Sequence, residues 1–290
     1  MDPLAGRRFA KMNGLGNEIV TLDLRGTDLQ VTPQQARDIH AAKGLAYDQL
    51  MVIHDPLRAD TLAFVRIFNN DGTESGACGN GTRCVAWIMT RAGSPDRFFV
   101  ETKAGVLECA REGDWSFTVD MGEPRLGWRD IPLSREETDT RAIDLRRDAV
   151  AAPALEGPAV VNMGNPHAVF FVGDIDAYDL AVLGPGLETD PIFPQKANIT
   201  LAQSLAPDHI RMKVWERGVG LTQACGTAAC ATLVAAVRRG LSQRRARLTL
   251  PGGDLLIEWR ERDGHVMMTG PVELEFEGEF DAAIFTGSAA

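Results

Sequence analysis

Ala77-Cys78-Gly79-Asn80-Gly81-Thr82 returns 147 positions later as Ala224-Cys225-Gly226-Thr227-Ala228-Ala229. One short echo is weak, but other landmarks keep almost the same step. Asn17, in Met12-Asn13-Gly14-Leu15-Gly16-Asn17, lies 148 positions before Asn165 in Asn162-Met163-Gly164-Asn165, and Gly105 and Gly122 stand in the same relation to Gly253 and Gly270. Collinear matches at one offset are the mark of a duplicated unit. The chain of 290 residues also exceeds the size at which one hydrophobic core stops growing. Two lobes of one architecture are therefore expected.

The residues after each repeated cysteine point to a helix. Val85-Ala86-Trp87-Ile88-Met89 leads to Arg91 and Gly93, and Leu233-Val234-Ala235-Ala236-Val237 leads to Arg238, Arg239 and Gly240. Arginine in a last turn and glycine at the stop are C-terminal signals, which puts Cys78 and Cys225 at the opposite, N-terminal ends. Cys84 and Cys230 then fall inside the helices as core packing. The rest of the first lobe reads as strands: Thr61 to Phe68, Arg97 to Thr102, Gly105 to Ala110 and Trp115 to Met121. An earlier helix is marked by Thr32 as cap, Pro33 in the first turn, Gln35 completing a capping box and Gly44 as stop. In the second lobe Ile210, Met212 and Val214 alternate with Arg211 and Lys213, and Leu255, Ile257 and Trp259 with Leu256 and Glu258, as half-buried strands do. The expected class is α+β. The proline- and charge-rich stretch from about Arg125 to Pro158 is expected to connect the lobes.

Composition narrows the function classes. An apolar share of 44% and a charged share of 24% exclude a disordered chain. No apolar run is long enough to span a membrane, and Met1 to Val20 lacks the pattern of a signal peptide, so a cytoplasmic protein is expected. A net charge of −10 disfavours a phosphate backbone as partner, which leaves a small polar substrate. The five cysteines, 78, 84, 109, 225 and 230, are an odd number without a Cys-x-x-Cys, and the five histidines are scattered, so neither a disulfide framework nor a metal site is indicated.

Taken singly, a helix-start cysteine reads as a small buried hydrophobe. Two at duplicated helix starts read as a pair. A helix N-terminus favours a thiolate and offers unpaired N–H donors to a carboxylate. With a pseudo-twofold axis between the lobes, Cys78 and Cys225 would approach one carbon from opposite sides, the geometry of a two-base racemase in which one thiolate removes a proton and the other thiol returns one to the opposite face. No redox cofactor is needed. Gly79-Asn80 and Gly226-Thr227 would hold the α-carboxylate.

The sequence resembles the diaminopimelate epimerase family of lysine and peptidoglycan biosynthesis. The resemblance rests on Lys11-Met12-Asn13-Gly14-Leu15-Gly16-Asn17, Tyr47-Asp48-Gln49-Leu50, Arg66-Ile67-Phe68-Asn69, Cys78-Gly79-Asn80-Gly81, Asn162-Met163-Gly164-Asn165-Pro166-His167, Trp215-Glu216-Arg217-Gly218 and Ala224-Cys225-Gly226-Thr227, and covers nearly the whole chain. It implies two pseudo-symmetric lobes, each a mixed β-sheet or barrel around a central helix, with the last strand returning to the first lobe. The lobes would then be residues 1–124 with about 274–290, and 125–273. It further implies cofactor-independent epimerisation of L,L-diaminopimelate to the meso form, with Cys78 and Cys225 as acid–base pair. Asn17, Gln49, Asn69, Gly79, Asn80, Asn165, Asn198, Glu216, Arg217, Gly226 and Thr227 would bind substrate, and His167 and Glu216 would adjust the thiols. A homodimer is implied too. This chain departs from the family pattern at Asn13, Glu18, Ile199-Thr200 and Phe276, the last where a tyrosine commonly makes a dimer contact; none of these is one of the named ligands.

Other readings stay open on the sequence. A proline or hydroxyproline racemase shares the paired cysteines but gives no reason for Glu216-Arg217 and the asparagine set, and a phenazine-type isomerase usually lacks both thiols. An amino-acid binding module with inert cysteines would show no proton exchange. A thiol redox protein fits poorly without Cys-x-x-Cys.

Overall fold

A computed structural model describes residues 2–149 and 152–288. Two compact units emerge. One runs to Val119 and resumes at Thr269, and the other spans Asp120–Met268.

In the first unit Arg8–Asn13 and Glu18–Asp23 pair antiparallel, and Glu18–Asp23 runs parallel to Gln49–His54, with helix α1 (Pro33–Ala41) in the crossover. Gln49–His54 pairs antiparallel with Phe64–Asn69, which folds back on the short Glu74–Ser75. Helix α2 (Gly79–Arg91) comes next, and the chain returns as Arg97–Thr102, parallel to Phe64–Asn69. Gly105–Gly113 then pairs antiparallel with that strand. The last strand, Glu273–Glu279, lies antiparallel to Arg8–Asn13, so the chain's end closes on its beginning as the resemblance implies.

The second unit repeats these pairings step for step. Ala159–Asn162 is antiparallel to Pro166–Phe171, which is parallel to Asn198–Ala206 across helix α3 (Leu180–Glu188). Asn198–Ala206 is antiparallel to His209–Glu216, which folds back on Gly220–Thr222 and, after helix α4 (Gly226–Arg238), runs parallel to Arg245–Leu250. Gly253–Trp259 closes the run antiparallel to it. Parallel neighbours need a crossover, and each unit uses helices for both of its crossovers.

The two helices of each unit differ in burial as their compositions dictate. In α2 nine residues from Asn80 to Met89 are buried, and in α4 the buried residues include every one from Ala228 to Ala236, so both are central helices buried on nearly every face. α1 buries only Gln35, Ala36 and Ile39. Its start is the expected capping box, with Thr32 accepting from the Gln35 N–H and Gln35 reaching back to the Thr32 N–H, a device worth about 1 kcal/mol. The residues just past the two central helices, Gly93 and Gly240, take φ of +96° and +69°, the left-handed conformation that ends a helix.

Two expectations are revised. The first strand after residue 60 begins at Phe64, because Thr61 Oγ1 donates to Glu101 Oε1 at 2.6 Å and pins the preceding residues in a loop. The stretch from Arg125 to Pro158 is not a mere connection: Ile131, Leu133, Ile143, Leu145 and Leu155 enter the core of the second unit, beside Phe170, Leu187 and Ile199. Among the described residues no helix is long and apolar enough to cross a membrane.

Candidate active site

Cys78 is the N-cap of α2, in extended backbone (φ −149°, ψ 103°), and its Sγ accepts the Gly81 N–H at 3.3 Å. The same sulfur lies 3.5 Å from Gln49 Oε1 and 3.9 Å from Asn17 Oδ1. Both are carbonyl oxygens that can only accept, so the half-buried Cys78 faces them as an S–H donor. Asn17 ends the first hairpin turn and its Nδ2 donates to Asp48 Oδ2 at 2.9 Å. Asn69 is the register partner of Gln49 across the sheet and donates to Thr73 Oγ1 at 3.0 Å. Asn80, buried in the first turn of α2, accepts from Arg83 Nη1 at 3.0 Å through its side chain. Its N–H and that of Gly79 precede the first intrahelical bond, from Thr82 to the Cys78 carbonyl, and remain donors for an anion. A side chain at Gly81 would require Met51 to move, since a Cβ would stand 2.5 Å from Met51 Sδ.

Cys225 holds the matching place at the start of α4 (φ −134°, ψ 110°) and is buried. Its Sγ is 3.5 Å from Thr227 Oγ1. Burial pushes the thiol well above its usual range, and the neighbouring Glu216 carboxylate pushes it further. Glu216 is itself fixed by Thr222, whose Oγ1 donates to Oε1 at 2.5 Å. Glu216→Gln would remove the negative charge while keeping an acceptor for Thr222. The Cys225 thiolate then forms more readily, and the pH at which Cys225 becomes half-maximally reactive to iodoacetamide is expected to fall. An unmoved or raised midpoint would show that Glu216 does not act on this thiol.

The turn after Glu216 is anchored on both sides. The fully buried Asn198 donates through Nδ2 to the Pro166 carbonyl at 2.9 Å and accepts the Arg217 N–H at 2.9 Å. Glu188, at the end of α3, accepts from Trp215 Nε1 at 2.7 Å and from the Gly218 N–H at 3.1 Å. Gly184 lets Trp215 reach that carboxylate, because a Cβ there would meet the indole at 2.4 Å. The exposed Arg217 guanidinium touches the Gln195 carbonyl at 3.0 Å. His167 is fully buried, and its Nε2 lies 2.7 Å from Asn165 Oδ1. Burial, aided by the nearby positive charge of Arg217, pushes its imidazole down to about 3, so it is neutral at physiological pH and donates to Asn165. Its contact is with this asparagine.

Within each unit, then, the expected residues come together at equivalent points of the repeat. Asn17 and Asn165 end the first hairpin, Gln49 and Asn198 begin the strand after the first crossover, Asn69 and Glu216 end its antiparallel neighbour, and the cysteines cap the central helices. Asp48, Glu188 and Thr222 were given no role by the sequence. Asp48 lies inside one of the quoted motifs, whereas nothing in the sequence around Glu188 or Thr222 marks them. Cys84 and Cys109 are fully buried, and burial is the main cause that pushes both thiols up to about 12. They are packing residues.

A family model described as diaminopimelate epimerase matches residues 9–127 and 159–275. The chain belongs to the diaminopimelate epimerase family. Relatives of that name from Methylocella silvestris and from Rhodopseudomonas palustris strain BisB18 are 59% and 56% identical, each over 290 residues and the full length of both chains. Among solved structures, a phenazine biosynthesis protein of the PhzF family from Bacillus anthracis superposes with a TM-score of 0.66 at 16% identity, covering 94% of this chain and 98% of that one. A probable proline racemase from Agrobacterium radiobacter gives 0.65 at 14% identity, covering 97% and 94%. At such identities the superpositions speak to the fold alone, which these enzymes share with the diaminopimelate epimerase family.

Proposed function

We propose that Cys78 and Cys225 are the acid–base pair for the family's reaction, the interconversion of L,L- and meso-diaminopimelate in lysine biosynthesis. The observation that carries the assignment is that the duplicated fold puts one cysteine at the N-cap of each central helix, each beside a polar group able to hold its proton. In one direction a thiolate takes the α-proton, the C–H electron pair stays on carbon, and the other thiol delivers its proton to the opposite face. Bond making and breaking balance without an oxidant or reductant, so the reading calls for no cofactor. A general acid and base placed in this way contribute roughly 10²–10⁴ each. The reading requires both sulfurs to reach one carbon.

The N–H donors of Gly79-Asn80 and Gly226-Thr227 are assigned to the reacting carboxylate, where they also oppose the charge that grows as the proton leaves. Asn17, Gln49, Asn69, Asn165, Asn198, Glu216 and Arg217 are assigned to the rest of a substrate that bears an amino-acid group at each end. Of these, Arg217 supplies a fork for the distal carboxylate and Glu216 an acceptor for an ammonium. Glu216 also adjusts Cys225, and His167 acts through Asn165. The enzyme is assigned to the cytoplasm and to a homodimer, for which Phe276 offers an exposed ring on the strand Glu273–Glu279.

The test is to incubate L,L-diaminopimelate with the pure protein in deuterated water without added cofactor. The expected result is meso product carrying deuterium at the inverted α-carbon. Inversion without solvent deuterium, or dependence on an added cofactor, would overturn the two-base reading.

A further inference from the structure

An asparagine side chain has two different ends, and its neighbours decide which end faces the site. Asp48 Oδ2 accepts two hydrogen bonds at once, from Asn17 Nδ2 at 2.9 Å and from the Glu18 N–H at 2.8 Å. A carboxylate cannot donate, so the end of Asn17 turned to it has to be the NH₂. The carbonyl oxygen is then left on the other side, and that is where the Cys78 sulfur lies, 3.9 Å away. We propose that Asp48 is a positioning residue of this site, which locks the Asn17 amide with its carbonyl toward Cys78.

The second unit supports the inference by contrast. The residue before Asn198 is Ala197, where the first unit has Asp48 before Gln49, so the carboxylate that holds Asn17 has no counterpart at that position. Asn165 is instead held by its carbonyl, which accepts from His167 Nε2. One duplicated asparagine is thus gripped by its nitrogen and the other by its oxygen. The hairpin that carries Asn17 is braced from the far side as well, since Lys11 Nζ donates to both Glu18 and the Ala46 carbonyl. Those bonds fix the backbone and leave the choice of amide orientation to Asp48. With Asp48 in place, the Asn17 and Gln49 carbonyls both face Cys78 as acceptors and favour S–H, while the Gly81 N–H donates to the sulfur. The charged side chains on the elements around the sulfur are Asp48, Glu18 with its partner Lys11, Asp23 paired with Arg25, Glu74 paired with Arg66 and Lys103, and on α2 Arg83, which is engaged with Asn80, and Arg91, which pairs with Glu277.

The inference rests on the assignment of Cys78 to the acid–base pair for its catalytic meaning, but alkylation of the ligand-free protein reads the sulfur's surroundings whether or not that assignment stands. The measurement is the iodoacetamide rate at Cys78, followed by peptide mass at one near-neutral pH, for the native protein, Asp48→Ala, Asp48→Asn, Asn17→Ala and the Asn17→Ala/Asp48→Ala double variant. In Asp48→Ala the amide is free to turn its NH₂ to the sulfur and stabilise the thiolate, so alkylation is expected to speed up roughly tenfold. Asp48→Asn keeps an oxygen that can accept both N–H groups and should stay within about twofold of native. With Asn17 absent, removing Asp48 should change the rate by less than about twofold. A rate unchanged in Asp48→Ala would overturn the proposal. So would an Asp48→Asn rate equal to that of Asp48→Ala, which would make the effect one of charge, or an acceleration that persists in the double variant, which would mean that Asp48 does not act through Asn17.

Discussion

Cys78→Ala and Cys225→Ala are each expected to lower net epimerisation by roughly a thousandfold or more, because inversion needs a proton removed from one face and another delivered to the opposite one. The loss should appear in kcat, since the missing interaction is made only as the proton moves, while KM for diaminopimelate stays within a few-fold of native. Folding is not at risk to the same degree. Cys78 is half-buried at a cap, and Cys225 is a small side chain whose truncation removes only a sulfur from a helix start. Cys84→Ala is the control. Its thiol is fully buried and far above its usual range through burial, so this variant should keep native turnover and lose only packing, about 1 kcal/mol in a denaturant titration. Native turnover in either Cys78→Ala or Cys225→Ala would end the assignment. A Cys84→Ala variant as inactive as the other two would show that the losses come from structure.

The parts of this fold that the sequence displays are those the duplication repeats in kind. Glycine and cysteine landmarks recur because the same backbone events recur: the helix stops at Gly93 and Gly240 and the caps at Cys78 and Cys225. The positions assigned to substrate under the proposed function recur in place but not in kind. Gln49 matches Asn198 and Asn69 matches Glu216 in the strand pairings, yet the residue types differ. That equivalence becomes visible only once the strands are in register. The supporting residues are less visible still. Glu188 touches Trp215 and Gly218 from about 30 positions away, and its helix contains Gly184-Pro185-Gly186, which reads as a turn until the packing of Trp215 on Gly184 explains it. Likewise Arg125 to Pro158 reads as polar connection because its buried residues are spaced among charges, as Ile143 and Leu145 flank Asp144.

Arg217→Lys is the substitution expected to weaken recognition most. Its backbone N–H is fixed by Asn198 Oδ1 at one side and the next N–H, of Gly218, by Glu188 at the other, so the side chain leaves the turn from a defined point. A guanidinium offers two parallel N–H donors to a carboxylate, whereas an ammonium at the end of a shorter reach is a single, strongly hydrated point charge. If Arg217 holds the distal carboxylate, the lysine variant should lose about 1–3 kcal/mol of binding, seen as a rise of roughly tenfold or more in KM. The contact lies far from the reacting carbon, so kcat should fall less than kcat/KM. A substrate pair separates this from a general disturbance of the turn. An analogue that lacks the distal carboxylate has nothing for the fork to grip, so it should be a poor substrate of the native enzyme and should be turned over equally by native and Arg217→Lys proteins. A lysine variant that loses the same factor on both substrates would show that Arg217 shapes the turn carrying Glu216, beside Cys225, and does not bind the far end of diaminopimelate.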